Sequence, residues 1–427
     1  MIKVYIKKNE AYSKPLVYIL SLFSKNKSLQ IKFIDEKINA EIIFDHTEPN
    51  SIPINAEFYE SLLVNKQFNH EIYFKKSPAL FFLNSDRQDW LGTAFYLVNS
   101  FQEYNNNSSN DMLDAYGRFK YEKSYQHKFN CVEKNLVQEY FDNFAQEYPI
   151  FSTSLSSKKQ TRVFISHDID TIYGSFLQDG LWALKKGRLD IILKLIINEV
   201  MLNPNWKNMD SIIKLHSEHD LKSTFFWIAT KKIAANKVKN ADYSIAKIDK
   251  QLLDSTSNGL HKSSYTTSFT EELNMLPFKT ELNRYHFLKF NLPNAWNDMQ
   301  ACNLKLDASL GFAERYGFRN NYGLPFKPYN ITNQEPYNFI EVPLNIMDGT
   351  LHRYMKIPLK ETAKSIIDFI EKNKTNAIVS ILWHNTYFTE YKYVGYLQEY
   401  KKVLLYLNET GIKSVTPEEI INEFSND

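Results

Sequence analysis

The sequence predicts an α/β protein: a mostly parallel sheet or barrel wrapped by helices, preceded by a smaller α+β or α/β unit. Three observations predict it. Beyond residue 161, short apolar strands alternate with helices about seven times, the signature of parallel strands joined by crossover helices. Ionisable residues follow several of those strands, where sites of such folds lie. The tract "STSLSSKKQT", 152–161, lacks apolar periodicity and reads as a boundary between the two parts. The expected division is a unit over 1–150, a linker over 151–161 and a second unit over 162–427.

In the first unit, "MIKVYI" and "AEIIFDH" alternate like strands, and "EIYFKK" with "ALFFLNS" like a hairpin. "DWLGTAFYLVNSFQEY" reads as a helix, "NNNSSND" as a loop, and "CVEKNLVQEYFDNFAQEY" as a helix leading to the linker.

In the second unit, 163–166 is a strand, followed by helices at 181–201 and 209–219. Within them "DIILKLIINEVML" reads as a buried amphipathic helix, since Lys194, Asn198 and Glu199 interrupt its apolar run. "KSTFFWIA" is a strand, 244–257 is helical, and a short strand enters "GLHKSSY". Helices at 271–282 and 294–302 precede the strands "LKLDAS" and "FIEVPLNI". A helix at 359–372, the strand "NAIVSILWHN", a helix at 393–409 and a final strand "IKSVT" complete the unit.

Composition narrows function by exclusion. Net charge is +2 with no long basic block, so nucleic acid is not expected as a partner. Cys131 and Cys302 are too few and too far apart for a disulfide framework or a thiolate zinc site. No apolar run approaches a membrane span and no secretory signal is read at the N-terminus, so a cytoplasmic protein is expected. The high aromatic share, 15%, suits a filled core or a carbohydrate cleft. Oligomeric state is not legible.

The residues following the strands carry the chemistry. They are His167-Asp168-Ile169-Asp170, His261, Arg284 with His286, Asp307, and His384-Asn385. Asp168 and Asp170 are i and i+2 in an extended chain, so both carboxylates reach one cavity. One aspartate and two histidines form the ligand set of a hydrolytic divalent-metal site: zinc first, with iron, cobalt or manganese also suited. Taken singly, the aspartates also fit a strand-end turn and each histidine a satisfied core residue.

The ordered set "SHDID … GLHKSS … RYHFL … LDASLGF … GFRNNYGLPF … LWHN" resembles the polysaccharide deacetylases, the NodB-homology or carbohydrate esterase family 4 group, in their divergent branch with an "HDVD"-type first motif. The resemblance spans about 162–424, and residues 1–150 resemble the accessory unit of unassigned function that precedes it. It implies a (β/α)7-like distorted barrel and a metal-dependent hydrolase acting on carbon–nitrogen, non-peptide bonds. Its reaction would remove acetyl groups from N-acetylated sugars of a polysaccharide or its precursor. It also implies Asp168 as general base, Asp170 and His261 as metal ligands, Arg284 orienting the base, His384 as general acid and Asp307 tuning that acid. The family's second motif has a further histidine where this chain has Tyr265. His286, two residues beyond Arg284, is read from this chain alone as the replacement ligand.

"GFAERYGFRNNYGLPFKPY", 311–329, reads as an ordered loop over the cleft. Arg319, Phe318, Trp383 and Tyr265 are the expected substrate-binding residues, with aromatic faces for sugar rings and arginine for an acidic group. Two other readings stand beside the deacetylase. The Tyr265 departure favours an inactive member that binds glycan or partner proteins. A glycosidase would need two carboxylates flanking the bond, which the histidine-rich set does not supply.

Overall fold

The structure, a computed structural model, describes residues 1–83, 86–104, 111–152, 159–174, 176–201, 206–232, 240–264, 268–389 and 392–425. The chain opens on a three-stranded parallel sheet of β1 (Ile2–Ile6), β2 (Ile31–Ile34) and β3 (Ile42–Phe44), in the order β2-β1-β3. Helix Ser13–Lys27 packs on it through Leu16, Ile19, Leu20 and Phe23; this helix and β2 arise where the sequence reading assigns no element. The expected hairpin is displaced. Residues His70–Tyr73 are helical, capped by the Asn69 side chain, and the antiparallel pair is β4 (Leu80–Phe81) with β5 (Gln88–Asp89). Helices Trp90–Val98 and Leu136–Glu147 follow. Most of the expected linker and of the "NNNSSND" loop lies outside the described residues.

The second part is an eight-stranded parallel sheet. Its strands are β6 (Arg162–Ile169), β7 (Ser223–Trp227), β8 (Ser257–Lys262), β9 (Leu282–Tyr285), β10 (Leu306–Asp307), β13 (Ile340–Glu341), β14 (Leu344–Met347) and β15 (Ile378–Leu382). A small hairpin, β11 (Tyr329–Asn330) with β12 (Glu335–Pro336), precedes β13. The sheet order is β13-β10-β9-β8-β7-β6-β15-β14. Its two edge strands are therefore consecutive in sequence, joined only by Val342 and Pro343. So short a link spans at most about 10 Å. The sheet must curl until its edges meet, and Leu344 N–H donates to the carbonyl of Leu310, just past β10, at 3.1 Å.

The inside of the curl is graded along its axis. Parallel partners point to one side, so Phe164, Phe226, Leu282, Leu306, Ile340 and Ile378 converge as one buried apolar cluster. Ile420 and Phe424 of helix Pro417–Phe424 join the same cluster. Gly259 occupies an inward position on β8 because a Cβ there would lie 2.5 Å from the Phe226 ring. Two residues further along β6, β8 and β9 the inward positions turn polar: Ser166, His261, Arg284. A second, larger cluster surrounds the sheet and runs continuously from Val4 to Ile412.

Several expected elements differ. "FIEVPLNI" is two strands, β13 and β14, at opposite edges of the sheet. "IKSVT" pairs through a single bridge, Val163 with Ser414. The helix expected at 271–282 starts at Phe269, set by a Ser268/Glu271 capping box, and ends before Pro277, so β9 begins at Leu282. Residues 244–257 are helical only at Ile245–Lys247 and Lys250–Asp254. The helix expected at 181–201 is two, Phe176–Lys185 and Leu189–Val200, divided at Gly187 with φ +67°. The second of these is not buried as expected: Ile191 and Leu195 face inward, while Leu189, Leu193, Ile197 and Val200 are exposed. Among the described residues no helix is long and apolar enough to cross a membrane.

His167, on the outward side of β6, is fully buried. It bonds the Trp383 carbonyl at 2.7 Å and stacks on buried His216. Burial pushes the His167 pKa down to about 3 and that of His216 well below its ordinary value. The unfolded chain protonates both near pH 6.5, whereas the native protein does not, so their contribution to stability is present above pH 6.5 and lost as pH falls, for His167 toward about 3. Stability should drop by roughly 1 kcal/mol per pH unit per histidine below pH 6.5. Thermal unfolding from pH 7.5 to 5 checks this. A His167→Asn variant, which keeps a donor for Trp383, should show a shallower slope; an unchanged slope refutes the assignment.

Candidate functional site

At the carboxyl ends of the strands the curl opens into a cleft of about 490 Å3. Asp168, Asp170, His261, His286 and His384 line it. Asp168 and Asp170 continue the inward face of β6. His261 on β8 and Arg284 on β9 are partners in register, and His286 follows β9 directly. His384 lies two residues past Leu382, on the inward side of β15.

Asp170, His261 and His286 offer ligand atoms that all lie within 4.8 Å of one another. His261 Nε2 is 3.3 Å and His286 Nε2 3.6 Å from Asp170 Oδ1. Bonds of ~2.0–2.1 Å in a tetrahedral site place ligand atoms ~3.4 Å apart, so the spacing suits such an ion. The outer hydrogen bonds set the histidine tautomers. His261 Nδ1 lies 3.0 Å from the Arg284 carbonyl, which can only accept, so Nδ1 carries the proton and Nε2 presents its lone pair. His286 Nδ1 faces Asn240 Oδ1 at 3.4 Å, and the Asn240 amide nitrogen donates to the Lys232 carbonyl at 2.5 Å, fixing which end is oxygen. Asp170 Oδ1 and His261 Nε2 are buried and have no hydrogen-bond partner among the described residues. Buried acceptors facing each other call for positive charge between them.

The ionisation states follow. Burial alone would raise the Asp170 pKa, but His286, His261 and His384 outweigh it and hold the carboxyl well below the usual range. Burial lowers His286 despite Asp170. Burial would lower His261 too, but Asp168 and Asp170 raise it overall.

Asp168 lies beside this triad and is held by Arg284. The guanidinium is fully buried: Nη1 donates to Asp168 Oδ1 at 3.1 Å and to Ser166 Oγ at 2.7 Å, and Nε to the Ala308 carbonyl at 2.8 Å. His384 is gripped twice by Asp348, which accepts from its backbone N–H at 2.5 Å and pairs with Nδ1 at 2.8 Å. Its Nε2 points back toward Asp170 Oδ2 at 3.7 Å. Burial would lower the His384 pKa, but Asp348 outweighs burial, with smaller help from Asp170 and Asp168, and the ring sits at about 9.

Asp307 is not beside His384. It accepts from Asn283 at 2.6 Å and from Ser309, beside buried Glu341. Burial raises both carboxyls, and Asp307 raises Glu341 further. The carboxylate on the histidine is Asp348, one residue past β14. The rule that found the other residues would have found it, had "FIEVPLNI" been followed one step beyond Met347. Asp242 also escaped notice: its carboxylate accepts from the backbone of Ile172, Tyr173 and Gly174 and fixes the turn after Asp170.

The expected sugar-binding residues lie elsewhere. Trp383 is fully buried on the outward side of β15, stacked on Tyr400 at 4.9 Å, because neighbours of an inward residue point outward. Phe318 is buried against Phe369. Arg319 donates to Glu103 from Nε at 2.8 Å and Nη2 at 2.5 Å, and each partner's side chain is 2% exposed. The 311–329 segment is thus a seam to the first 150 residues, not a cover for the cleft. Tyr265 lies outside the described residues. The cleft's aromatic lining comes instead from Tyr285, Phe287, Tyr354, Tyr387 and Tyr393, with Trp206.

Residues 2–148 match a family described as DUF7033, a family of unknown function. No curated protein matches the chain. Similar solved structures include a candidate polysaccharide deacetylase involved in O-antigen biosynthesis from Bordetella bronchiseptica: 14% identity, 64% of this chain and 88% of that chain covered, TM-score 0.30. Another is a candidate polysaccharide deacetylase from Mycobacterium smegmatis: 10% identity, 63% and 92% covered, TM-score 0.35. A third is the 4-alpha-glucanotransferase of Thermococcus litoralis: 10% identity, 63% and 41% covered, TM-score 0.38.

Two predictions follow from this geometry. The purified protein, stripped and reloaded with Zn2+, should hold one equivalent, and Asp170→Ala or His286→Ala should lower its affinity at least ~10-fold; elemental analysis and chelator competition measure both. Arg319→Ala should destabilise the fold by about 3–5 kcal/mol, because Glu103 is left buried and unpaired. Equilibrium unfolding reads that cost, and a near-neutral variant would contradict the structural role.

Proposed function

We propose that the protein is a metal-dependent hydrolase that removes acetyl groups from N-acetylated sugars of a polysaccharide or its precursor. The observation that carries the reading is the convergence of three devices on one cleft: the Asp170/His261/His286 triad, Asp168 on Arg284, and His384 on Asp348. The ordered resemblance of these strand-end residues to the polysaccharide deacetylases supports it.

Asp170, His261 and His286 would hold a divalent cation, zinc first among the candidates, which supplies Lewis-acid polarisation of an acyl oxygen and acidifies water. Asp168 accepts the proton of the attacking water. Its Oδ1 is occupied by Arg284, which leaves Oδ2 for this work. Water oxygen bonds to the acetyl carbon, the carbon–nitrogen bond breaks, and His384 Nε2 gives its proton to the departing amine. Acetate and a free amino sugar result. Asp348 keeps His384 charged and its ring aimed inward, the condition for a general acid near neutral pH. The cleft's aromatic residues offer faces for sugar rings.

Acetate release from N-acetylated oligosaccharides tests the reading. Asp168→Asn should abolish turnover while metal stays bound. His384→Ala should lower turnover by ~10²–10⁴-fold with metal content unchanged, and Asp348→Asn should act in the same direction. Asp307→Asn should alter stability and leave turnover little changed. A protein that binds metal and glycan but releases no acetate from any N-acetylated sugar would be an inactive member instead. Turnover that survives Asp168→Asn would remove the assigned base.

A further inference from the structure

Resting on the metal-site reading above, one feature of the site lies outside its own strands. The ligand His286 is followed by two residues with left-handed backbone, Phe287 at φ +59° and Leu288 at φ +52°. Neither is glycine, so each holds a strained conformation that surrounding contacts must offset. Those contacts come from the N-terminal segment. Arg118 Nη1 donates to the Phe287 carbonyl at 3.2 Å, and Nη2 to the Tyr354 hydroxyl at 3.0 Å. The Tyr116 ring stacks on Phe287, and the Phe287 ring on the His286 imidazole, with centroids 6.2 and 3.8 Å apart.

The donor is itself preorganised. Asp114 Oδ1 accepts from the backbone of Tyr116 and Arg118 at 2.8 and 2.9 Å, and its Oδ2 accepts from Arg118 Nε at 2.7 Å. The Asp114 N–H donates to the Arg118 carbonyl at 2.8 Å and closes the same turn. Arg118 is 5% exposed, so the guanidinium is fixed before anything binds in the cleft. Two residues past the strained pair, Phe290 lies under the Arg319 guanidinium at 4.7 Å, and Arg319 is held by Glu103. The loop bearing His286 is therefore fastened at Phe287 by Arg118 and Tyr116, and at Phe290 by Arg319, which Glu103 holds.

We propose that the N-terminal segment completes the metal site: Arg118 is a positioning residue that holds the left-handed backbone at Phe287, and through it aims His286 at Asp170 and His261. His261 needs no such help, because it lies within β8 and is fixed by register. His286 lies past the end of β9, where the sheet no longer dictates direction.

The test is Zn2+ affinity of the full chain, read by competition with a chromophoric chelator, with circular dichroism confirming the fold of each variant. Arg118→Met should bind ~10–100-fold more weakly, the usual scale for lost outer-shell support. Arg118→Lys should recover part of the loss, since one ammonium can reach the Phe287 carbonyl but cannot also reproduce the pairing with Asp114. Phe287→Gly supplies the decisive comparison. Glycine adopts positive φ freely, so in that background Arg118→Met should cost much less than in the native chain. If Arg118→Met does not fold, the same comparison is made with Arg118→Lys. Equal affinity of the native chain and Arg118→Met, or an undiminished cost in the Phe287→Gly background, overturns the proposal. Failure of the native chain to bind Zn2+ at all would instead overturn the metal site.

Discussion

The two edges of the eight-stranded sheet are tied together by two residues. Val342 and Pro343 separate strands that stand at opposite ends of the hydrogen-bonded order, so the sheet cannot lie open. Everything about the cleft depends on that constraint. Curling gives the sheet an inside, and the inside is filled in layers. Phe164, Phe226 and Leu282 with their neighbours form an apolar layer at one end, next to helix Pro417–Phe424. Ser166 and Arg284 form a polar layer above it, and the aspartates and histidines stand at the rim. The gradient has a physical reason. A buried guanidinium is tolerable only when it is paired, and Arg284 finds Asp168 and Ser166 for Nη1 and the Ala308 carbonyl for Nε within the curl, while Nη2 has no partner among the described residues.

The same constraint explains why the N-terminal segment is not an appendage. β10 and β13 are parallel, so the polypeptide that follows β10 must return to the start of β13, and it does so by way of the 311–329 segment. That segment carries many polar groups into buried surroundings, and residues of the first 150 satisfy them. Glu103 takes Arg319; Asn321 donates to the carbonyls of Cys131 and Lys134 and accepts from Gln126. Without those partners the segment would leave several buried donors unpaired, each costing on the order of 1–3 kcal/mol. The arginine that looked in sequence like a ligand for an acidic sugar is a structural cation.

How much was legible in the sequence follows from which signals are local. The strand-end rule drew Asp168, Asp170, His261, His286 and His384 from four separate places, because alternation of strand and helix survives in any one window. The partners within the cleft were harder. Asp307 and Asp348 both end strands, and sequence alone does not say which of two neighbouring strand ends faces His384. Sheet order decides it: β14 adjoins β15, whereas β10 lies five places away. That order was hidden because "FIEVPLNI" looks like one strand, and only the closed sheet separates its halves. Trp383 was misjudged for a different reason. Strand alternation, applied strictly from His384, already turns it outward. Phe318 and Arg319 could not have been placed, since their partners, Phe369 and Glu103, lie far from them along the sequence.

Charge balance within the cleft gives the last step. Of the aspartates lining it, Asp179 pairs with Lys392 and Asp242 accepts from the turn after Asp170, and three stand among the histidines: Asp168, Asp170 and Asp348. Asp168 has the guanidinium of Arg284. Asp348 has His384, whose pKa near 9 keeps it an imidazolium at neutral pH. Asp170 is left with His261 and His286, and burial drives His286 toward its neutral form. A proton on His261 would satisfy one contact and leave His286 Nε2 facing the same oxygen at 3.6 Å. A divalent cation at the meeting point of the three atoms satisfies all of them at once and leaves the other two pairs undisturbed. The three pairings then separate by task. In the proposed hydrolysis one anion would hold the cation, one would take a proton, and one would keep a proton in place on its partner. That is the division of labour amide hydrolysis requires of a single cleft.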